Sequence, residues 1–145
     1  PFVDITSALE TAGGLTIPAA LSDTAASGVA TLGALQAEFP AAARDALGVS
    51  IRETAGGGVL DRFGAFLRTQ TGARSLGARE GDDPDAILSR AEAAVRSGDL
   101  YTALEELATL PEAGQAAMAG WVQKAQVRLA ATSALADLTA TTNSN

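Results

Sequence analysis

The sequence predicts an all-α chain, and three observations predict it. Hydrophobic residues make up 47% of the 145 residues, yet aromatics are only 4%, and alanine supplies much of the remainder. Alanine is the best helix former and buries little area, so helices are favoured while each contact between them is thin. Runs of valine, isoleucine and tyrosine with period two are absent, which argues against a sheet. The expected architecture is an N-terminal helical arm, an amphipathic helix and a small C-terminal helical bundle.

Taken in order, Pro1 to about Ala12 reads as a short helix capped by Asp4 and stopped by Gly13-Gly14. A second helix is expected from Pro18, a good first-turn residue. Its apolar line is Leu21, Ala25, Val29, Leu32, Leu35 and Phe39, one face of an α-helix, with a possible break near Gly28. Pro40 is expected to end it, and a third helix follows through Arg44, Leu47 and Ile51. Three successive glycines, Gly56 to Gly58, then mark a hinge, because each costs about 1 kcal/mol relative to alanine inside a helix. The Gly-Lys-Ser/Thr ending of a phosphate loop is missing.

Beyond the hinge, Val59 to about Gln70 reads as a short amphipathic helix with Leu60, Phe63 and Leu67 on one face and Val59 and Phe66 beside it. Thr71 to Asp83 is a polar connector. Asp83 is placed to cap the next helix, with Pro84 in its first position and Asp85 near its positive end. Leu88, Ala91 and Val95 form its inner line, and Gly98 is its stop. Asp99 is placed to cap a helix with the stripe Leu100, Leu104 and Leu107, which Leu110-Pro111 breaks. A last helix, about Glu112 to Thr139, is expected to bury Met118, Val122, Ala125 and Leu129, then Leu135 and Leu138, and the tail Thr141 to Asn145 to fray. The regions are thus 1–54, helical; 55–83, hinge, basic helix and connector; and 84–140, the C-terminal domain.

Cysteine and histidine are both absent, which removes thiolate and imidazole chemistry, the usual zinc sites and any disulfide. An enzyme and a cofactor are therefore not expected. The net charge of −7 disfavours nucleic acid as a partner. Its distribution is uneven: residues 59–79 hold four arginines (Arg62, Arg68, Arg74, Arg79) against the single acid Asp61, between two acidic blocks. No apolar run approaches the roughly 18 residues of a transmembrane helix, and no signal-like segment follows Pro1. The chain is expected to be the soluble end of a larger protein.

Few residues suggest a site. Asp82, Asp83 and Asp85 lack the alternating ligand register of a calcium loop, and helix capping explains them. Glu105 and Glu106 are adjacent, so on a helix they diverge by about 100° and do not share an acid/base site. Trp121 and Tyr101 read as core or interface packers. Gly98-Asp99-Leu100 with Ala103-Leu104 is similar to the spacing in helical repeats, but one helix pair does not make an array. The helix at 59–70 is the pointed case: Phe63, Phe66 and Leu67 offer apolar insertion area while Arg62, Arg68 and Arg74 are placed to meet lipid phosphates. An ordinary amphipathic helix docked on the domain fits the same residues, and both readings stand.

Three stretches together resemble the C-terminal part of bacterial mitofilin, the alphaproteobacterial relative of the mitochondrial crista-organising protein. The first is Glu80 to Leu100 (EGDDPDAILSRAEAAVRSGDL), continuing through Ala103 to Leu107 and Leu110-Pro111 to Trp121. It is similar to the mitofilin signature domain: two short helices, a Leu-Pro break and a long helix carrying a tryptophan. The second is Phe63 to Arg68 with Arg74-Ser75-Leu76, and the third is Gly28 to Leu32 with Phe39 to Arg44. Mitofilin relatives carry an N-terminal membrane anchor, a coiled coil, a lipid-binding segment and the signature domain; they oligomerise and bend membranes, and the mitochondrial forms hold crista junctions together. Neither the anchor nor the coiled coil is expected within these 145 residues.

The resemblance implies a membrane-organising scaffold on the periplasmic side of a bacterial inner membrane. It places Arg62, Phe63, Phe66, Leu67 and Arg68 in the lipid-binding segment, and Arg74 extends that set toward anionic lipid. It makes the helices of 84–139 a dimerisation and partner-binding unit, with Trp121, Val122 and Leu129 on the shared face. A homodimer through the last helix, or a higher homo-oligomer, is expected, with a protein partner possible. A soluble helical adaptor that binds a peptide or protein is the alternative.

Overall fold

The computed structural model describes residues 1–13, 16–55 and 81–143. Six helices and no strand occur among them, as an all-α chain requires: α1 (Val3–Gly13), α2 (Ala19–Ser22), α3 (Leu32–Ala55), α4 (Pro84–Ser97), α5 (Leu100–Leu107) and α6 (Glu112–Asn143). The glycine hinge and the basic amphipathic helix expected over 59–70 lie outside the described residues.

The C-terminal elements are built by their local signals. The Asp83 carboxylate accepts hydrogen bonds from the backbone N–H groups of Asp85 and Ala86, and Pro84 takes the first turn, where its missing N–H costs nothing. Gly98 closes α4 with φ +87°, a left-handed conformation that suits glycine. A Cβ there would also press against the Leu32 side chain at 3.3 Å. Asp99 then caps α5 by accepting from the Thr102 N–H at 3.0 Å. Leu110 is buried in the turn before α6.

Three N-terminal expectations are corrected. α1 begins at Val3, so Asp4 lies inside its first turn and does not cap it; the first hydrogen bonds run from Ile5 and Thr6 to the Phe2 carbonyl. The helix begun after Pro18 ends at Ser22, and the chain turns through Gly28 at φ +82°, so the apolar line from Leu21 to Phe39 is split between two elements. Pro40 does not end a helix: α3 runs through it from Leu32 to Ala55. An interior proline forfeits one backbone hydrogen bond and costs about 3 kcal/mol. Continuity wins because Leu35, Phe39 and Ala46, on both sides of Pro40, are all buried in the same core.

α3 and α6 lie antiparallel, as their cross-links show. Ala30, just before α3, meets Arg128; Leu35 and Glu38 in its first turns meet Trp121 and Lys124; and Glu53 near its end meets Ala113 at the start of α6, so the beginning of one helix lies against the later part of the other. In the last pair the Glu53 carboxylate accepts the Ala113 N–H at 3.1 Å, giving α6 a cap from another helix. Gly114 lets α6 approach α3, since a Cβ at that position would run into Ser50 Oγ. α4 also runs antiparallel to α3: the Gln36 amide donates to the Val95 and Arg96 carbonyls at the end of α4. Although α3 falls in the region expected as an arm, it supplies the centre of the core.

That core joins Leu35 and Phe39 to Ile87, Val95, Leu100, Leu107, Met118 and Trp121. α4 is held to α5 by Arg90, whose guanidinium meets both Glu106 carboxylate oxygens at 2.9 Å and the Gly81 carbonyl at 2.7 Å. The hydrogen bond to Glu106 is the main reason the Arg90 pKa is raised further.

The long helix departs from its expected register near its end. Met118 and Ala125 are buried and Val122 and Leu129 half-buried, but Leu135 is 55% exposed and Leu138 only half-buried. Beyond Arg128 the helix has passed the start of α3. Among the described residues the short N-terminal elements remain to cover it, and the small residues Ala131 and Ala134 are buried there. α6 continues to Asn143, past the expected end at Thr139.

Candidate functional site

The helices at the two ends of the described chain enclose an apolar groove of about 330 Å³. α6 forms its floor with Arg128, Ala131, Thr132, Leu135 and Leu138, spaced three and four residues apart and so aligned on one face. α1 supplies Phe2, Ile5 and Thr6, the segment around α2 supplies Ile17 and Leu21, and the turn before α3 adds Val29. The N-terminal wall is tied down by the Phe2 N–H, which donates to the Ala25 carbonyl at 2.7 Å. Gly28 is required there: a Cβ would come within 3.1 Å of the Pro1 nitrogen. Ile5 is 63% exposed on the rim.

Polar groups in the groove are few and mostly engaged. Thr6 Oγ1 donates to the Val3 carbonyl at 2.8 Å, and Thr132 Oγ1 donates to the Arg128 carbonyl at 2.9 Å. Arg128 is the one charged residue among the described lining. Its Nη1 donates to the Ala30 carbonyl at 3.0 Å, and no carboxylate among the described residues forms an ion pair with it. The site therefore combines apolar surface with a single cation.

The residues singled out from sequence fall elsewhere. Arg62, Phe63, Phe66, Leu67, Arg68 and Arg74, the expected lipid contact, lie outside the described residues. Trp121 is not on an outer face: it is 4% exposed, edge-on to Phe39 with ring centroids 5.0 Å apart, and hydrogen-bonded to the Leu35 carbonyl. The indole is the largest apolar group on α6 and α3 offers it both a ring and an acceptor, so the fold claims it. Val122 is half-buried and lines a second cleft, between α5 and α6, with Leu104 and Met118; Leu129 is half-buried at the edge of the core. Tyr101 points outward, 66% exposed.

Three of the C-terminal carboxylates have structural work. Asp83 and Asp99 are caps, and Glu106 is held by Arg90. Asp99 has its pKa lowered, first by the Thr102 backbone N–H and then by the Thr102 hydroxyl, both of which stabilise the ionised form. Among the described residues no three acidic side chains gather where they could hold a metal ion. No helix among them is long and apolar enough to cross a membrane.

Sequence reasoning missed the groove. Spacing marks Leu135 and Leu138 as an apolar pair and predicts them in the core, whereas Leu135 is exposed and Leu138 half-buried. Comparison of the chain with protein-family models, curated proteins and solved structures finds no match.

Proposed function

We propose that this chain is a binding domain of a membrane-organising scaffold of the mitofilin kind, acting on the periplasmic face of a bacterial inner membrane by association and not by catalysis. The observation that supports it is the form of residues 81–143. The segment that carries the resemblance folds as two short capped helices, a turn at Leu110-Pro111 and a long helix whose Trp121 closes the core. Charged side chains in this unit serve caps and ion pairs, whereas the groove offers apolar surface, which suits binding. On this reading Arg62, Phe63, Phe66, Leu67, Arg68 and Arg74 contact anionic lipid, and the helical unit supports self-association.

Co-flotation with vesicles tests it. The wild-type chain floats with anionic but not with neutral vesicles and is released by salt, because arginine–phosphate attraction is screened. Absence of flotation on anionic vesicles contradicts the membrane contact. A second reading, a soluble adaptor, is favoured by the cleft between α5 and α6, where Leu104, Met118 and Val122 are bordered by Gln115, Gln123 and Gln126. It predicts no vesicle binding and a protein partner held at that cleft.

A further inference from the structure

We infer that the groove between α1, α2 and α6 binds a single fatty acyl chain bearing a carboxylate, with Arg128 holding the head group. The inference rests on reading the chain as a binding domain, but not on its contact with a bilayer, which was assigned above to different residues.

Charge complementarity selects the head group. One of the five N–H groups of Arg128 is used on the Ala30 carbonyl, and no carboxylate among the described residues neutralises the guanidinium. A half-buried arginine at an apolar wall, held in place by a backbone carbonyl, is a fixed cation that a planar carboxylate can meet with two hydrogen bonds. The acidic net charge of the chain does not alter this, since the groove lining contains no acid among the described residues.

The rest of the lining selects the tail. From Arg128 to Leu138 the floor extends about 15 Å along α6, at 1.5 Å per residue. Ile5, Ile17, Leu21 and Leu135 bound that length with apolar surface. An extended peptide laid there would find few partners for its N–H and C=O groups, because the two threonine hydroxyls already spend their protons on backbone carbonyls and the one other polar side chain among the described lining is Arg128 at its end. A hydrocarbon chain has no such groups to satisfy, and each buried methylene contributes favourably. The volume, about 330 Å³, falls in the range of small-molecule sites.

The test is titration of the full chain with decanoate and with decanol, followed by amide chemical shifts and by isothermal calorimetry. The expected result is saturable one-to-one binding of decanoate, with shifts concentrated around Ile5, Leu21 and Leu135, and decanol bound about tenfold more weakly or worse. Arg128→Gln should bring the two affinities together, while Leu135→Glu should weaken decanoate by at least about tenfold. Leu135 is 55% exposed, so that substitution leaves the core alone, and unchanged helicity and melting confirm it. Equal affinity of the wild type for decanoate and decanol overturns the assignment, as does the absence of saturable binding. So does a dimer that Leu135→Glu dissociates and decanoate fails to bind, which would make a second copy the occupant. Vesicle flotation of the wild type is read separately: its loss would sink the membrane contact and leave the decanoate result standing.

Discussion

The indole N–H of Trp121 donates to the Leu35 carbonyl at 2.9 Å, joining α6 to α3 across 86 residues of sequence. The same ring stands edge-on to Phe39, with an interplanar angle of 81°. One side chain thus supplies both a buried hydrogen bond and the aromatic contact at the centre of the core. Trp121→Ala is expected to cost about 3–5 kcal/mol, the range for truncating a buried aromatic. Trp121→Phe, which keeps an aromatic ring but loses the donor, should cost less, about 1–3 kcal/mol. Urea unfolding measures both, and equal losses would show that a retained ring contributes nothing, leaving the whole effect with the hydrogen bond and the indole shape.

Gly114 and Ser50 set how closely the two long helices approach. A methyl group at Gly114 would collide with Ser50 Oγ, and both residues are buried. Gly114→Ala should therefore destabilise by about 1–3 kcal/mol, although alanine is the better helix former. Adding Ser50→Ala, which removes the obstructing oxygen, should recover part of that loss. A stabilised Gly114→Ala single variant in thermal unfolding would contradict the contact.

Pro40 predicts a change in the other direction. It sits within α3, where it has no N–H to offer the Gln36 carbonyl. Pro40→Ala restores that bond and should stabilise the chain by about 1–3 kcal/mol, less whatever packing the half-buried ring provides. A lower urea midpoint in this variant would show that the ring contributes more than the missing bond.

Asp99 gives a pH dependence whose sign follows from its lowered pKa. A carboxylate depressed in the folded state binds protons less readily there than in the unfolded chain. Its contribution is present above the ordinary aspartate range and is lost as pH falls through its folded value. The stability difference between wild type and Asp99→Ala should thus be full at neutral pH and vanish toward strongly acidic pH. Asp99→Asn, which still caps, should retain much of the wild-type stability. Unfolding curves at several pH values decide it: a difference that does not vary with pH would remove the cap from the account.

Where structure was legible in the sequence, the signal was local. Asp83-Pro84, Gly98 and Asp99 each act on atoms within a few residues, and α4 and α5 follow from them. Pro40 misled because its local cost is outweighed by contacts of Phe39 and Ala46 with distant helices. Leu135 misled because its burial depends on what lies opposite α6, and the short N-terminal elements do not reach over it. The groove could not be read from spacing, since Ile5, Ile17 and Leu135 come from opposite ends of the chain. Trp121 was recognised as a packer, but only the α3–α6 pairing shows that its partners lie in its own chain.

The most direct test of the membrane reading is co-flotation with anionic vesicles of three proteins: the wild type, Phe63→Asp with Phe66→Asp, and Leu135→Glu. The account predicts that the wild type and Leu135→Glu float in a salt-sensitive manner, while the double variant stays in the bottom fraction with its helicity intact. Flotation of the double variant at the wild-type level, or failure of the wild type to float at low salt, would contradict it.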